Sequence, residues 1–287
     1  MNVTTIVLIP GLWMTALCWE NWVKHYTDKG YRVIAANWPG MEGDIEQLRR
    51  HPSDFARLGL TEVVDHYEQI IRELETPPVI IGYGFGGLIT QILLDRGWGA
   101  AGVAIATAPV KGIFCLPLST LKVSLAALRN PFNTRGTTSL SPKQFRYAFT
   151  NALTEAESLA AYERYVVPGP NRILLQAALA NFDAHAASAV NVGNDTRAPL
   201  LLVAGSKDRF APPSLVKANF ELYRQSKAET DYKEFPDGTH FMVGQEGWDK
   251  IANYVLCWAL CSANPESKLS ATLNGGASWS LQFSSAL

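Results

Sequence analysis

The sequence predicts an α/β fold, a doubly wound and mostly parallel sheet carrying a helical cap insertion. Three observations predict it. Short, near-continuous apolar runs alternate with helical patterns, as strands do when crossover helices cover both faces of a sheet. One of those runs, Pro78-Val79-Ile80-Ile81, breaks into glycines at 82, 84, 86 and 87 directly before a helical pattern. That reads as a buried strand, a very tight turn and a helix whose first turn leaves N–H groups free. Finally, the alternation lapses over residues 109–194 and then resumes.

Taken in order, Val3 to Ile9 is a strand ended by Pro10-Gly11, and Leu12 to Thr15 loops into a helix carrying Trp19, Trp22 and Val23. Tyr31 to Ala36 is a second strand, stopped by Asn37-Trp38-Pro39-Gly40. Residues 41–60 are polar and read as irregular. Thr61 is expected to cap a helix whose Val64, Tyr67, Ile71 and Leu74 recur at helical spacing. Pro77-Pro78 closes it, the glycine-rich strand, turn and helix run to about Arg96, and Ala100 to Ala106 is the fourth strand.

The stretch that follows predicts helices over Pro142–Leu153, Glu155–Tyr165 and Ile173–Phe182. Alternation resumes with a strand at Pro199–Ala204, a helix at Pro213–Gln225, a strand at Thr230–Phe235 and a helix at Trp248–Leu260. The expected division is a core of residues 1–108 and 195–262, a cap of 109–194, and a loosely ordered tail of 263–287 rich in Ser, Ala, Gly and Asn.

Composition narrows the function classes. The 287 residues hold 25 basic and 26 acidic side chains for a net charge of −1, with no long run of either sign. Such a balance gives no electrostatic footprint for nucleic acid or an anionic membrane. No run approaches the roughly 20 apolar residues of a membrane span, and the start lacks the pattern of a signal peptide, so a cytoplasmic protein is expected. Cys18, Cys115, Cys257 and Cys261 form no CxxC, and the five histidines show no metal-ligand spacing. No metal or other cofactor is expected.

The glycine cluster fits two motifs. Gly82-x-Gly84-x-x-Gly87 spells a dinucleotide fingerprint, which needs an acid at the end of the next strand. That strand, Gly102 to Ala108, carries none. Gly82 and Gly86 also flank position 84 as the glycines of a nucleophile elbow, Gly-x-Ser-x-Gly, with glycine where the serine belongs. The elbow requires an acid after a later strand and then a histidine after the last one. Asp208 follows the Leu200–Ala204 run, and His240 follows Thr230–Pro236.

On these residues the chain resembles the α/β-hydrolase superfamily, over roughly residues 3 to 262. The resemblance makes Asp208 and His240 the acid and base. It takes one oxyanion-hole N–H from Leu12, in the Pro10-Gly11-Leu12-Trp13 turn, and the other from Phe85. Proline stands at position 10 where the family often has histidine. Gly84 stands at the nucleophile position, where the family has serine, so no covalent acyl-enzyme carries over.

Three functions remain open. One is non-hydrolytic acid–base chemistry (elimination, isomerisation, condensation or cyclisation), of a kind found in secondary-metabolite biosynthesis. A second is a serine hydrolase (esterase, lactonase or thioesterase) with its nucleophile mutated to Gly84. The third is a ligand-binding or receptor protein without catalysis. Trp13, Trp38, Phe210 and Phe241 fall in loops at the carboxyl ends of strands and are candidate substrate contacts. They suggest a small apolar or aromatic carbonyl substrate, with a homodimer left open as the assembly. In the expected cap, Tyr147, Tyr162, Tyr165, Asn181 and His185 are candidates to reach the cleft, although residues at helical spacing are more often structural.

Overall fold

The computed structural model describes residues 3–114, 120 and 133–264. Its sheet is built from β1 (Thr5–Ile9), β2 (Arg32–Ala35), β3 (Val79–Tyr83) and β4 (Ala101–Ile105), then β7 (Leu200–Gly205) and β8 (Thr230–Phe235). A two-residue ladder of β5 (Thr137–Thr138) and β6 (Gly169–Pro170) lies apart from it. The helices are α1 (Glu20–Thr27), α2 (Ile45–Arg50), α3 (Leu60–Arg72), α4 (Phe85–Asp95), α5 (Pro142–Ala148), α6 (Glu155–Tyr165), α7 (Asn171–Leu179), α8 (Pro213–Leu222) and α9 (Trp248–Ala263).

The six strands run parallel in the order β2-β1-β3-β4-β7-β8. Every residue of β1, β3, β4 and β7 is buried, which is why each reads as an unbroken apolar run. From β1 the chain steps outward to β2, and from β3 it steps the other way to β4. Right-handed crossovers in opposite directions put α1 and α4 on opposite faces. They also leave a crevice at the carboxyl ends of β1 and β3, where ligands of such sheets bind.

The core elements form where the apolar periodicity places them, and the differences lie at their edges. Helix α3 begins at Leu60, not at a capping Thr61; its N-cap is Gly59, which has no side chain to offer. The Leu60 N–H is satisfied instead by the side-chain carbonyl of Gln176 on α7, at 2.8 Å. Residues 41–60 are not wholly irregular, because Asp44 caps α2 by accepting the Gln47 N–H at 2.7 Å. With only Leu48 buried, α2 shows too little apolar period to be read.

Between β4 and β7, Leu174, Ala177 and Ala178 of α7 face a cavity beside Gly84 and His240. The neighbouring helices are tied to the rest of the fold. Glu20 on α1 accepts Arg164 at 2.7 and 2.5 Å and the Tyr165 hydroxyl at 2.5 Å. The Arg164 guanidinium holds the Glu20 carboxyl below its ordinary range, while burial and Glu20 push the Tyr165 phenol up to about 12. Arg49 donates to the carbonyls of Tyr162, Glu163 and Val166 at the end of α6. Helix α5 stops at Ala148, short of the expected Leu153. The expected tail beyond Asn264 lies outside the described residues. Among the described residues, no helix is long and apolar enough to cross a membrane.

At the β3–α4 junction backbone packs directly on backbone. A Cβ on Gly82 would stand 2.0 Å from the Gly86 carbonyl oxygen, and one on Gly86 would stand 2.1 Å from that of Ile9. Backbone blocks both, so neither can be relieved by turning a side chain. Gly86→Ala is therefore expected to destabilise by about 3 kcal/mol or more, the upper end of overpacking, as a lowered midpoint in urea unfolding. An unchanged midpoint would mean the junction can spread freely.

Candidate active site

Gly84 is the single residue between β3 and α4. Its N–H donates to the Ile105 carbonyl at 2.9 Å, and its own carbonyl accepts Gly87 and Ala108 at 3.1 and 3.0 Å. These bonds hold it at φ 57°, ψ −118°, a conformation that side chains strain to adopt. A Cβ there would meet only Gly11 Cα and His240 Nε2, each at 3.7 Å, which is ordinary contact. A hydroxyl one bond further out would lie within hydrogen-bond reach of Nε2. Gly82 and Gly86 are explained by close backbone packing, and Gly87 by the Thr107 side chain, 2.9 Å from where its Cβ would stand.

Asp208 and His240 are brought together by two loops that touch through backbone. A Cβ on Gly205 would lie 2.4 Å from the Gly238 carbonyl oxygen, so only glycine lets the loops after β7 and β8 approach this closely. The Lys207 N–H donates to the Gly238 carbonyl at 2.8 Å and fixes their register. Asp208 Oδ1 accepts the N–H groups of Phe210 and Ala211 at 2.7 and 2.8 Å, and Oδ2 meets His240 Nδ1 at 2.7 Å. A carboxylate can only accept, so Nδ1 carries the hydrogen, and in the neutral ring the lone pair lies on Nε2, facing Gly84.

Aromatic rings enclose the imidazole. Phe149 stands edge-on at 4.6 Å, Phe210 edge-on at 5.0 Å, and Tyr83 tilted at 5.1 Å. The Tyr83 hydroxyl is fully buried and has no hydrogen-bond partner among the described residues. Burial, and next the charge of Asp208, push that phenol well up. A cavity of about 60 Å³ opens in front of His240, walled by Gly84, Phe85 and Phe210, by Leu174, Ala177 and Ala178 from the α7 face, and by several further small residues. Among the described residues, Thr120 and His240 are its only polar side chains. The Thr120 hydroxyl donates to the Phe210 carbonyl at 2.8 Å.

The other expected site residues fall in different places. The N–H groups of Leu12 and Phe85 donate to no protein acceptor among the described residues, and the adjoining Gly11 reaches position 84. Trp13 does not wall the cavity but backs it, 5.6 Å from Phe210, with its indole N–H on the Thr138 carbonyl at 2.9 Å. Trp38 is a correction: it is buried in the core and lines no part of the cavity. Phe241 is a second, because its ring turns away to pack on Tyr165 and Phe145.

Of the residues expected in a cap, Tyr147 lies beneath Arg209, Tyr162 donates to the Leu140 carbonyl and Tyr165 to Glu20, Asn181 bonds the backbone of Gly112 and Ile113, and His185 is exposed. None of them lines the cavity. Phe149 and the alanines of α7 carry no chemistry that sequence reading could pick out.

A family model described as "Alpha/beta hydrolase family" matches residues 6–253. Among solved structures, the monoacylglycerol lipase of Paleococcus ferrophilus is similar at 19% identity and TM-score 0.64, covering 90% of this chain and 94% of that one. A thermophilic esterase from Thermogutta terrifontis is 14% identical with TM-score 0.64, covering 92% of each chain. A histidine-to-alanine variant of tomato methylketone synthase I, complexed with β-ketoheptanoate, is 14% identical with TM-score 0.60, covering 90% and 98%. At such identities the likeness is one of fold. No curated protein matches the sequence.

The two kinds of glycine are expected to respond differently. Gly84→Ala should fold with a loss of about 1–3 kcal/mol, since only its backbone is strained. Gly205→Ala should lose more, because its Cβ forces the two loops apart. Urea unfolding compares them, and equal losses would count against the steric account.

Proposed function

Since the chain belongs to the alpha/beta hydrolase family, we propose that it uses the family's acid–base machinery without a covalent nucleophile, on a small apolar or aromatic carbonyl compound. The observation that carries this reading is the pairing of a complete Asp208–His240 dyad with an empty place at position 84, directly opposite Nε2.

Glycine offers no atom for attack on a carbonyl. What remains can move a proton. Neutral His240 takes a proton from the carbon next to the substrate carbonyl, and the released electron pair passes to the carbonyl oxygen. The N–H groups of Phe85 and Leu12 hold the resulting enolate oxygen, each donor contributing roughly 3–4 kcal/mol. Asp208 keeps the lone pair on Nε2 and supports the imidazolium that forms. The proton then returns to another carbon in an isomerisation, or a group departs from the neighbouring carbon in an elimination. An apolar enclosure suits such steps because it keeps water from the enolate. The methylketone synthase among the similar structures is consistent with synthetic chemistry on this fold.

A second reading is a serine hydrolase whose serine has been replaced. It is favoured by the lipase and esterase among the similar structures, and by the free space for a Cβ at position 84.

Gly84→Ser separates the two when turnover of 4-nitrophenyl acetate is measured. Under the proposal the variant stays within about tenfold of the parent, while His240→Ala lowers the chain's own reaction roughly 10²–10⁴-fold. A burst of acyl-enzyme followed by strong turnover in Gly84→Ser would establish the hydrolase reading instead.

A further inference from the structure

We propose that the cap segment Tyr147–Asn151 is a positioning element for the dyad, with Phe149 at its centre, so that His240 is aimed by the cap as well as by Asp208. The proposal rests on reading His240 as the base.

The contacts fall in alternation along the segment. The Tyr147 ring lies 5.1 Å beneath the guanidinium of Arg209. The Phe149 carbonyl accepts the Phe241 N–H at 2.9 Å, and its ring stacks on Phe210 at 5.7 Å while standing edge-on to His240 at 4.6 Å. The Asn151 amide donates to the Lys207 carbonyl at 3.0 Å. Lys207 and Arg209 flank Asp208, and Phe241 follows His240. Three alternate residues of the cap thus grip the immediate neighbours of both dyad members.

A base held at one atom is not yet aimed. The bond from Nδ1 to Asp208 fixes one corner of the ring, and the χ2 torsion of histidine is intrinsically broad. Phe149 on one side, with Phe210 and Tyr83 on others, restricts the remaining tilt and keeps Nε2 on position 84. Phe149 itself is 1% exposed and lines no part of the cavity. It therefore acts through His240 and not by touching substrate.

The test is Phe149→Ala, with Phe149→Leu as the conservative variant that restores bulk. In protein labelled with ¹⁵N-histidine, the imidazole signals of His240, assigned by their loss in His240→Ala, should form one sharp set in the parent. They should broaden or double in Phe149→Ala and recover at least partly in Phe149→Leu. Sharp, unshifted signals in a folded Phe149→Ala overturn the proposal. This measurement needs no turnover, so its failure is distinct from failure of the proposed reaction. If Gly84→Ser turns over 4-nitrophenyl acetate, adding Phe149→Ala should lower kcat about 10–100-fold with KM within twofold, as expected when a reacting group is misplaced by a fraction of an ångström. A raised KM with unchanged kcat would instead place Phe149 on the substrate's wall and overturn the proposal. Should Phe149→Ala not fold, Asn151→Ala and Tyr147→Ala, which sever the flanking contacts, are read for the same broadening: its presence supports the proposal, and sharp, unshifted signals in both overturn it.

Discussion

Backbone touching backbone without a side chain between is the constraint on which this structure depends. It occurs where β3 turns into α4, with Gly82 against Gly86 and Gly86 against Ile9, and again where Gly205 meets Gly238. The first contact delivers Gly84 and the Phe85 N–H to the crevice, and the second brings an acid and a base from different strands within 2.7 Å. A methyl group at any of these positions would separate groups that must meet.

Around that skeleton the site is built by exclusion. Asp208 has both oxygens engaged, one by two backbone N–H groups and one by His240, so its carboxylate is fixed between the two loops. The imidazole is surrounded by rings, and the cavity before it is apolar except for Thr120 among the described residues. In such surroundings the lone pair on Nε2 has few competitors, and under the proposed reaction any charge formed on a substrate oxygen is met by fixed N–H groups instead of water.

Much of this was legible in the sequence, for identifiable reasons. Strands buried on both faces write themselves as apolar runs, and Asp208 and His240 stand out by chain order after the last two strands. What was not legible depends on tertiary partners. The Gly59 boundary of α3 requires a Gln176 found far along the chain, and the Phe149 carbonyl just beyond α5 finds its donor in Phe241, which is likewise distant in sequence. Trp38 and Phe241 sit in the right loops, but a loop position does not say which way a ring turns. Phe149 and the alanines of α7 look like ordinary core until the cavity is seen.

The bond between Leu60 and Gln176 spans 116 residues and joins a helix of the sheet layer to one that walls the cavity. It makes the first turn of α3 and the seat of α7 parts of one cooperative unit. Detaching α7 leaves the opening N–H of α3 bare, so fraying of that helix and widening of the cavity are thermodynamically linked. Anything that fills the cavity and holds α7 in place slows hydrogen exchange at the start of α3, well away from the chemistry.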